Sequence, residues 1–123
     1  DAWRDLGRRT GQTVDVFRLA GIYGPGRNAL AQLKAGTARR IVKPGQVFNR
    51  IHVEDIAAAL EAAWDRPRPR PGTVFNVADD EPAPPQDVVA YAARLAGMEP
   101  PPEIPFDEAR LTPMAASFYA ESK

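Results

Sequence analysis

Thirteen prolines in 123 residues constrain this chain more than any other feature. That is about twice the usual share of roughly 5%. Proline fixes φ and lacks an amide donor, so it ends helices and is kept out of central strands. The prolines gather in three stretches: residues 66–72 (RPRPRPG), 79–85 and 99–105 (EPPPEIP). Regular structure is therefore expected between these stretches, which read as extended connectors or loops. The first reads as a solvated connector, since no aromatic residue is interleaved with its arginines to stack on bases.

Between the connectors the apolar spacing is readable. Residues 2–9 read as a helix end closed by Gly11. Residues 14–19 (VDVFRL) are a β-rich run and predict a buried strand, followed by a turn-rich loop, AGIYGPGR, at 20–27. Asn28 can cap a helix to about residue 35, with Gly36 just past its end. Residues 39–42 and 47–53 read as short strands, and the Lys43-Pro44-Gly45-Gln46 turn between them predicts a hairpin. A helix over 54–64 carries Ile56, Leu60, Ala63 and Trp64 as one stripe, with Glu54 and Asp55 in its first turn. Residues 73–78 (TVFNVA) predict another strand, and a helix from Pro85 to residue 96 places Val88, Tyr91, Ala92 and Leu95 on one face before Gly97. Strands alternating with helices argue for an α/β architecture with crossover connections. The runs at 14–19 and 73–78 are expected to be neighbouring parallel strands.

Lys+Arg and Asp+Glu are both 16, which argues against general electrostatic binding to nucleic acid or an acidic membrane surface. With no cysteine and one histidine, His52, the chain has no thiol nucleophile, disulfide, Cys-ligated zinc or His-rich metal site. No apolar run approaches the roughly 20 residues of a membrane span. The expected partner is a small molecule, not nucleic acid or membrane. A cysteine-free chain fits a reducing compartment, and a cytoplasmic location is expected. Asp1 falls inside a helical run, so the chain reads as a piece of a larger protein.

Three motifs follow one another. Arg18 precedes Tyr23-Gly24-Pro25 across a short loop; His52-Val53-x-Asp55 runs from a strand into a helix; Phe75-Asn76-Val77 forms a later strand. In this order and spacing they resemble the C-terminal half of the extended short-chain dehydrogenase/reductase superfamily, the NAD(P)-dependent epimerases and dehydratases. The likeness covers about residues 13–97. It implies the C-terminal part of a doubly wound, Rossmann-like parallel sheet, with the predicted hairpin and helices on the substrate side. It also implies NAD or NADP as cofactor in the intact protein, hydride transfer on a small-molecule substrate, and room for a homodimer. The alternative is a non-catalytic Rossmann-like sensor or scaffold that binds dinucleotide and signals through a partner.

On this resemblance Leu19, Ala20, Gly21 and Ile22 lie beside the cofactor, presenting mainly backbone, while Tyr23 and Arg27 line the substrate pocket. The phosphate-binding glycine loop and the catalytic Tyr-x-x-x-Lys pair would lie upstream of Asp1, so no catalytic residue is assigned within the chain. Where nucleotide-sugar epimerases carry an arginine three residues before the Ile of I-H-V, this chain has Phe48, with Arg50 directly before Ile51. The resemblance therefore does not extend to a sugar-nucleotide substrate.

Plainer roles stand beside these. Tyr23, Gly24 and Pro25 can simply shape a turn, His52 can satisfy a helix N-terminus, and Asp55 can tie down backbone amides there. Arg18 can pair with an acid, and Trp3 and Trp64 can pack in a core or interface. Tyr119 and Lys123 have the Tyr-x-x-x-Lys spacing but follow the H-V-x-D element; they are expected on an exposed C-terminal segment, away from the 19–27 loop.

Overall fold

The three ladders among the described residues are parallel, and each joins strands distant in sequence. The computed structural model describes residues 1–67 and 70–120. Elements run α1 (Ala2–Thr10), β1 (Val16–Leu19), β2 (Gly21–Tyr23), α2 (Ala29–Lys34), β3 (Arg40–Val42), β4 (Arg50–His52), α3 (Val53–Trp64), β5 (Val74–Val77), α4 (Pro85–Leu95), β6 (Glu103–Pro105) and α5 (Pro113–Ala120). β1 pairs with β5 in the register Val16↔Val74 to Leu19↔Val77, as the two β-rich runs predict. The Phe17 and Phe75 rings stack across this pair at 5.0 Å. The α/β class with parallel strands and crossover helices is thus as expected.

The hairpin is not formed. The turn is present, with the Gln46 amide donating to the Lys43 carbonyl at 3.1 Å, but the strands it joins take separate partners. β3 pairs with β6, where Arg40 meets Glu103 at 2.7 Å. β4 pairs with β2. Ile41 and Ile51 are both buried, each within its own parallel pair. Those partners reward separation of the two strands over local pairing.

The main core is Leu33 of α2 with Val89, Ala92 and Ala93 of α4, flanked by Ala29 and Ala38. Alanines on α4 let the helix lie close to α2 and β3. The stripe expected on α4 is therefore shifted: Tyr91 and Leu95 are exposed, and Val89 and Ala93 take the inner positions. On α3 the predicted stripe exists, but only Ala63 is buried; Leu60 is 49% and Trp64 76% exposed. Trp3 is 72% exposed, so neither tryptophan packs in a core of this chain.

The arginine–proline stretch is more than a solvated connector, although Arg68 and Pro69 lie outside the described residues. Arg70 forms an ion pair with Asp15, using both guanidinium Nη atoms, and the two side chains are only 10% and 12% exposed. Asp15 Oδ1 also accepts from the Thr73 amide at 2.9 Å. Arg66 lies over the Phe75 ring at 5.3 Å and donates to Thr73 Oγ1 at 3.2 Å. Gly72 passes so close to Val14 that a Cβ would fall 2.1 Å from the Val14 carbonyl oxygen. These contacts hold the entrances of β1 and β5 together.

The C-terminal segment also differs from expectation. Tyr119 on α5 is only 8% exposed. Its ring meets Phe48 at 5.1 Å and Phe106 at 5.2 Å, and the Lys43 ammonium lies over Phe106 while donating to the Tyr119 carbonyl. An aromatic cluster fixes this helix where a free end would fray. Lys123 lies outside the described residues.

Candidate functional site

At the end of β1 the chain changes partner within one residue. The Ala20 amide donates to the Val77 carbonyl at 3.0 Å, and the next amide, Gly21, donates to Asn49 at 3.2 Å. Leu19 to Ile22 therefore form a continuous strip at the carboxyl end of the β1–β5 pair, where open α/β sheets take their ligands. Leu19, Gly21 and Ile22 are exposed and Ala20 is half-buried. A Cβ on Gly21 would meet only the Asn49 oxygen, at 3.4 Å, so the strip stays low and open. Both its leading amides are already bonded, which leaves apolar surface for a flat ring but no amide cluster for a phosphate.

The β2–β4 register is Gly21↔Arg50, Ile22↔Ile51, Tyr23↔His52. Side chains alternate across a strand, so Gly21, Tyr23, Arg50 and His52 share one face, while Ile51 goes inward at 3% exposure. The Tyr23 ring meets His52 edge-on at 5.1 Å and 63°. His52 is the N-cap of α3, its Nδ1 accepting from the Glu54 amide at 3.4 Å. His52 thus satisfies the helix N-terminus as expected, and Asp55 lies in the first turn, where its carboxylate faces the positive end of the helix.

Two residues not marked by the motifs complete this face. The Asp79 amide donates to the Arg50 carbonyl at 2.6 Å, which brings the Asp79 carboxylate to Tyr23. A hydrogen bond from the Tyr23 hydroxyl to Asp79 holds the phenol above its ordinary pKa, and burial and the charge of Asp55 add to the effect. Arg50 Nη1 donates to the carbonyls of Phe48 at 3.0 Å and Ala83 at 3.2 Å. Burial lowers the Arg50 pKa, while Asp79 opposes the drop. Phe48 and Ala83 are themselves an antiparallel bridge, so Arg50 ties β4 to the loop after β5. The sequence marks Arg50 and Asp79 only as charges at strand ends, where a buried charge needs a partner; it does not say which partner each takes.

The Y-G-P motif forms a tight turn. Gly24 and Arg27 exchange backbone bonds of 3.0 and 3.1 Å, with Pro25 second and Gly26, at φ 74°, third, the type II pattern. Asn28 then fastens the turn to α2: its Nδ2 donates to the Gly24 carbonyl and its Oδ1 accepts from the Ala31 amide, both at 2.8 Å. Arg27 is exposed on the far side of this turn. Leu19 to Tyr23 thus run consecutively along this edge, with Gly21 and Tyr23 on one face of the β2–β4 pair and Ile22 on the face of Ile51, and Arg27 is exposed at the end of the turn that follows.

Two cavities lie elsewhere. One, of about 720 Å³, is lined by Gly7, Thr13, Arg70 and Gly72 at the amino ends of β1 and β5. Another, of about 490 Å³, lies between Lys43, Pro44, Phe106 and Asp107. Among the described residues no group of three or more His, Asp or Glu side chains is placed to hold a metal ion, and no helix is long and apolar enough to cross a membrane.

No known family profile matches the chain. Protein YeeZ from Escherichia coli K12 is 37% identical over 93 residues, which is 74% of this chain and 31% of YeeZ. A conserved protein from Silicibacter pomeroyi, described as functionally unknown, is 57% identical with a TM-score of 0.83, over 99% of this chain and 44% of its own. A dTDP-glucose 4,6-dehydratase from Bacillus anthracis, solved in complex with NAD, has a TM-score of 0.64 at 16% identity, over 98% of this chain and 43% of its own. The chain therefore spans about a third of the curated relative and less than half of each of these structures. Its fold is the Rossmann-like α/β fold of the NAD-dependent epimerase/dehydratase structures.

Proposed function

We propose that this chain is the substrate-side half of a larger NAD(P)-dependent oxidoreductase, epimerase or dehydratase that acts by hydride transfer on a small molecule. The observation that carries the reading is the handover at Ala20, which leaves Leu19, Gly21 and Ile22 exposed at the carboxyl ends of a parallel pair. The NAD-bound dehydratase of the same fold supports it. A bound nicotinamide would accept or donate the hydride. Leu19 and Ile22 would flank its ring and exclude water, Gly21 would leave room for it, and Tyr23, on the opposite face of the β2–β4 pair from Ile22, would border the substrate. Arg27 would meet an anionic part of the substrate from beyond the turn. A homodimer is compatible with this reading.

The test is dinucleotide binding by the intact protein, read as a change in the fluorescence of NADH or NADPH. Ile22→Glu should weaken binding by tenfold or more while the far-ultraviolet spectrum stays unchanged. No binding of either dinucleotide by the intact protein, or equal binding by the Ile22 variant, would overturn the proposal.

A further inference from the structure

The cavity at the amino ends of β1 and β5 lies at the opposite end of that ladder from the Leu19–Ile22 strip. Its lining carries three arginines, Arg4, Arg8 and Arg70, and no acidic residue. At about 720 Å³ it falls within the roughly 300–1,000 Å³ of sites that hold small organic ligands. Arg4 and Arg8 stand four residues apart on α1 and so share one face of the helix. Each is paired with one acid, Arg4 Nε with Asp1 at 3.4 Å and Arg8 with Asp5, and these four side chains are 40–70% exposed. Such pairs are weak, and a guanidinium has five donors, so both arginines keep N–H groups to turn towards an anion. Arg70 is fixed in place, 10% exposed and paired through its Nη atoms with Asp15. Its Nε is buried with no hydrogen-bond partner among the described residues, and a buried donor left unpaired is costly.

We propose that this cavity is a second binding site, for a small organic anion. A phosphate or carboxylate group would lie among Arg4, Arg8 and Arg70, with an apolar body against Val14, Pro71 and Val74, which also line the cavity. The arginine fork matches the paired oxygens of either group. Asp15 neutralises the charge of Arg70, so the attraction comes chiefly from Arg4 and Arg8, while Arg70 adds a fixed donor. A bare ion would leave most of the volume empty, and a cation would meet three like charges. The site is separate from the dinucleotide strip and does not depend on the hydride-transfer reading.

Three probes with one ring separate the cases: phenyl phosphate, benzoate and neutral benzyl alcohol, each added to the intact protein with excess NAD present and followed by saturation-transfer NMR. Phenyl phosphate or benzoate should bind, with benzyl alcohol at least fivefold weaker. The tighter of the two acids assigns the anionic group. Rising salt should weaken binding, since Arg4 and Arg8 are exposed. Arg4→Gln combined with Arg8→Gln should weaken it tenfold or more with the far-ultraviolet spectrum unchanged. Arg70→Lys keeps a charge beside Asp15 but removes Nε, and should weaken it severalfold. No transfer from either acid, equal binding of benzyl alcohol, or unchanged binding in the Arg4/Arg8 double variant would overturn the proposal. So would loss of binding in Arg27→Gln with the double variant unaffected, which would place the anion in the substrate pocket. Dinucleotide binding without anion binding would sink this inference alone; the reverse would sink the hydride-transfer reading and leave this one standing.

Discussion

Truncating Asp15, whose side chain is only 12% exposed, should destabilise the fold. Its carboxylate accepts from Arg70 Nη1 at 2.8 Å, from the Thr73 amide at 2.9 Å, and from Arg70 Nη2. These bonds, led by the Arg70 side chain, lower its pKa from the ordinary 3.8 to about 2 despite the opposing effect of burial. At roughly 1.4 kcal/mol per pKa unit the drop corresponds to about 2.5 kcal/mol; solvent on the open side of the pair reduces this to about 1 kcal/mol. Asp15→Ala costs more, roughly 2–3 kcal/mol, because it also leaves the guanidinium and the Thr73 amide unpaired in a partly buried place. Urea unfolding followed by far-ultraviolet circular dichroism measures this, since both tryptophans are too exposed to report on packing. Asp15→Ala and Arg70→Ala should couple, the double variant costing little more than either single. The folded pKa is the lower one, so the contribution of Asp15 is complete above about pH 4 and disappears as pH falls towards 2. A loss below about 0.5 kcal/mol, additive single variants, or a carboxylate contribution that grows on acidification would each refute the argument.

Gly72→Ala should cost about 1–3 kcal/mol or more, since the added Cβ meets the backbone oxygen of Val14 and not a movable side chain; thermal unfolding within a degree of the parent would contradict it. Tyr119→Ala should cost roughly 3 kcal/mol by emptying the Phe48–Phe106 cluster, while Tyr119→Phe keeps the ring and should leave both stability and turnover of the intact protein within a few-fold. Titration calorimetry of the isolated 123 residues with NAD should show no binding tighter than about 1 mM, roughly −4 kcal/mol, because the amides of Ala20 and Gly21 are already bonded; micromolar binding would count against the assignment of the strip.

What could be read in advance were the features whose cause is local. Asn28 caps its helix through its own side chain, Gly11, Gly36 and Gly97 end theirs with positive φ, and Pro25-Gly26 forces a turn wherever it falls. The β1–β5 pairing was legible because apolar runs bounded by helices leave a crossover as the simple connection. Partner choice across the chain was not. Lys43–Gln46 is a good turn, yet Arg40 finds Glu103 and Arg50 meets Gly21 across the ladder. No local pattern announces that Asp15 waits for Arg70, or that Asp79 will meet Tyr23. The stripe on α3 was correctly spaced, but spacing does not say whether a covering surface is supplied by the same chain.

The absence of a hairpin also shapes how the chain reaches this structure. Arg40 and Glu103 are separated by 63 positions, and Asp15 and Thr73 by 58. Only the β2–β4 ladder, Gly21↔Arg50, closes a loop of about half that length. Halving a loop saves about 0.6 kcal/mol of closure entropy, so β2–β4 is the cheapest ladder to form first. Its formation draws Asn49 to Gly21 and sets the Arg50 carbonyl in place for Asp79. β5 then arrives at an edge already aligned. The Tyr23 face would thus be laid down as the nucleus of assembly, with β3–β6 and the aromatic anchor of α5 following, and refolding should be slow for a chain of this size because each ladder among the described residues is non-local.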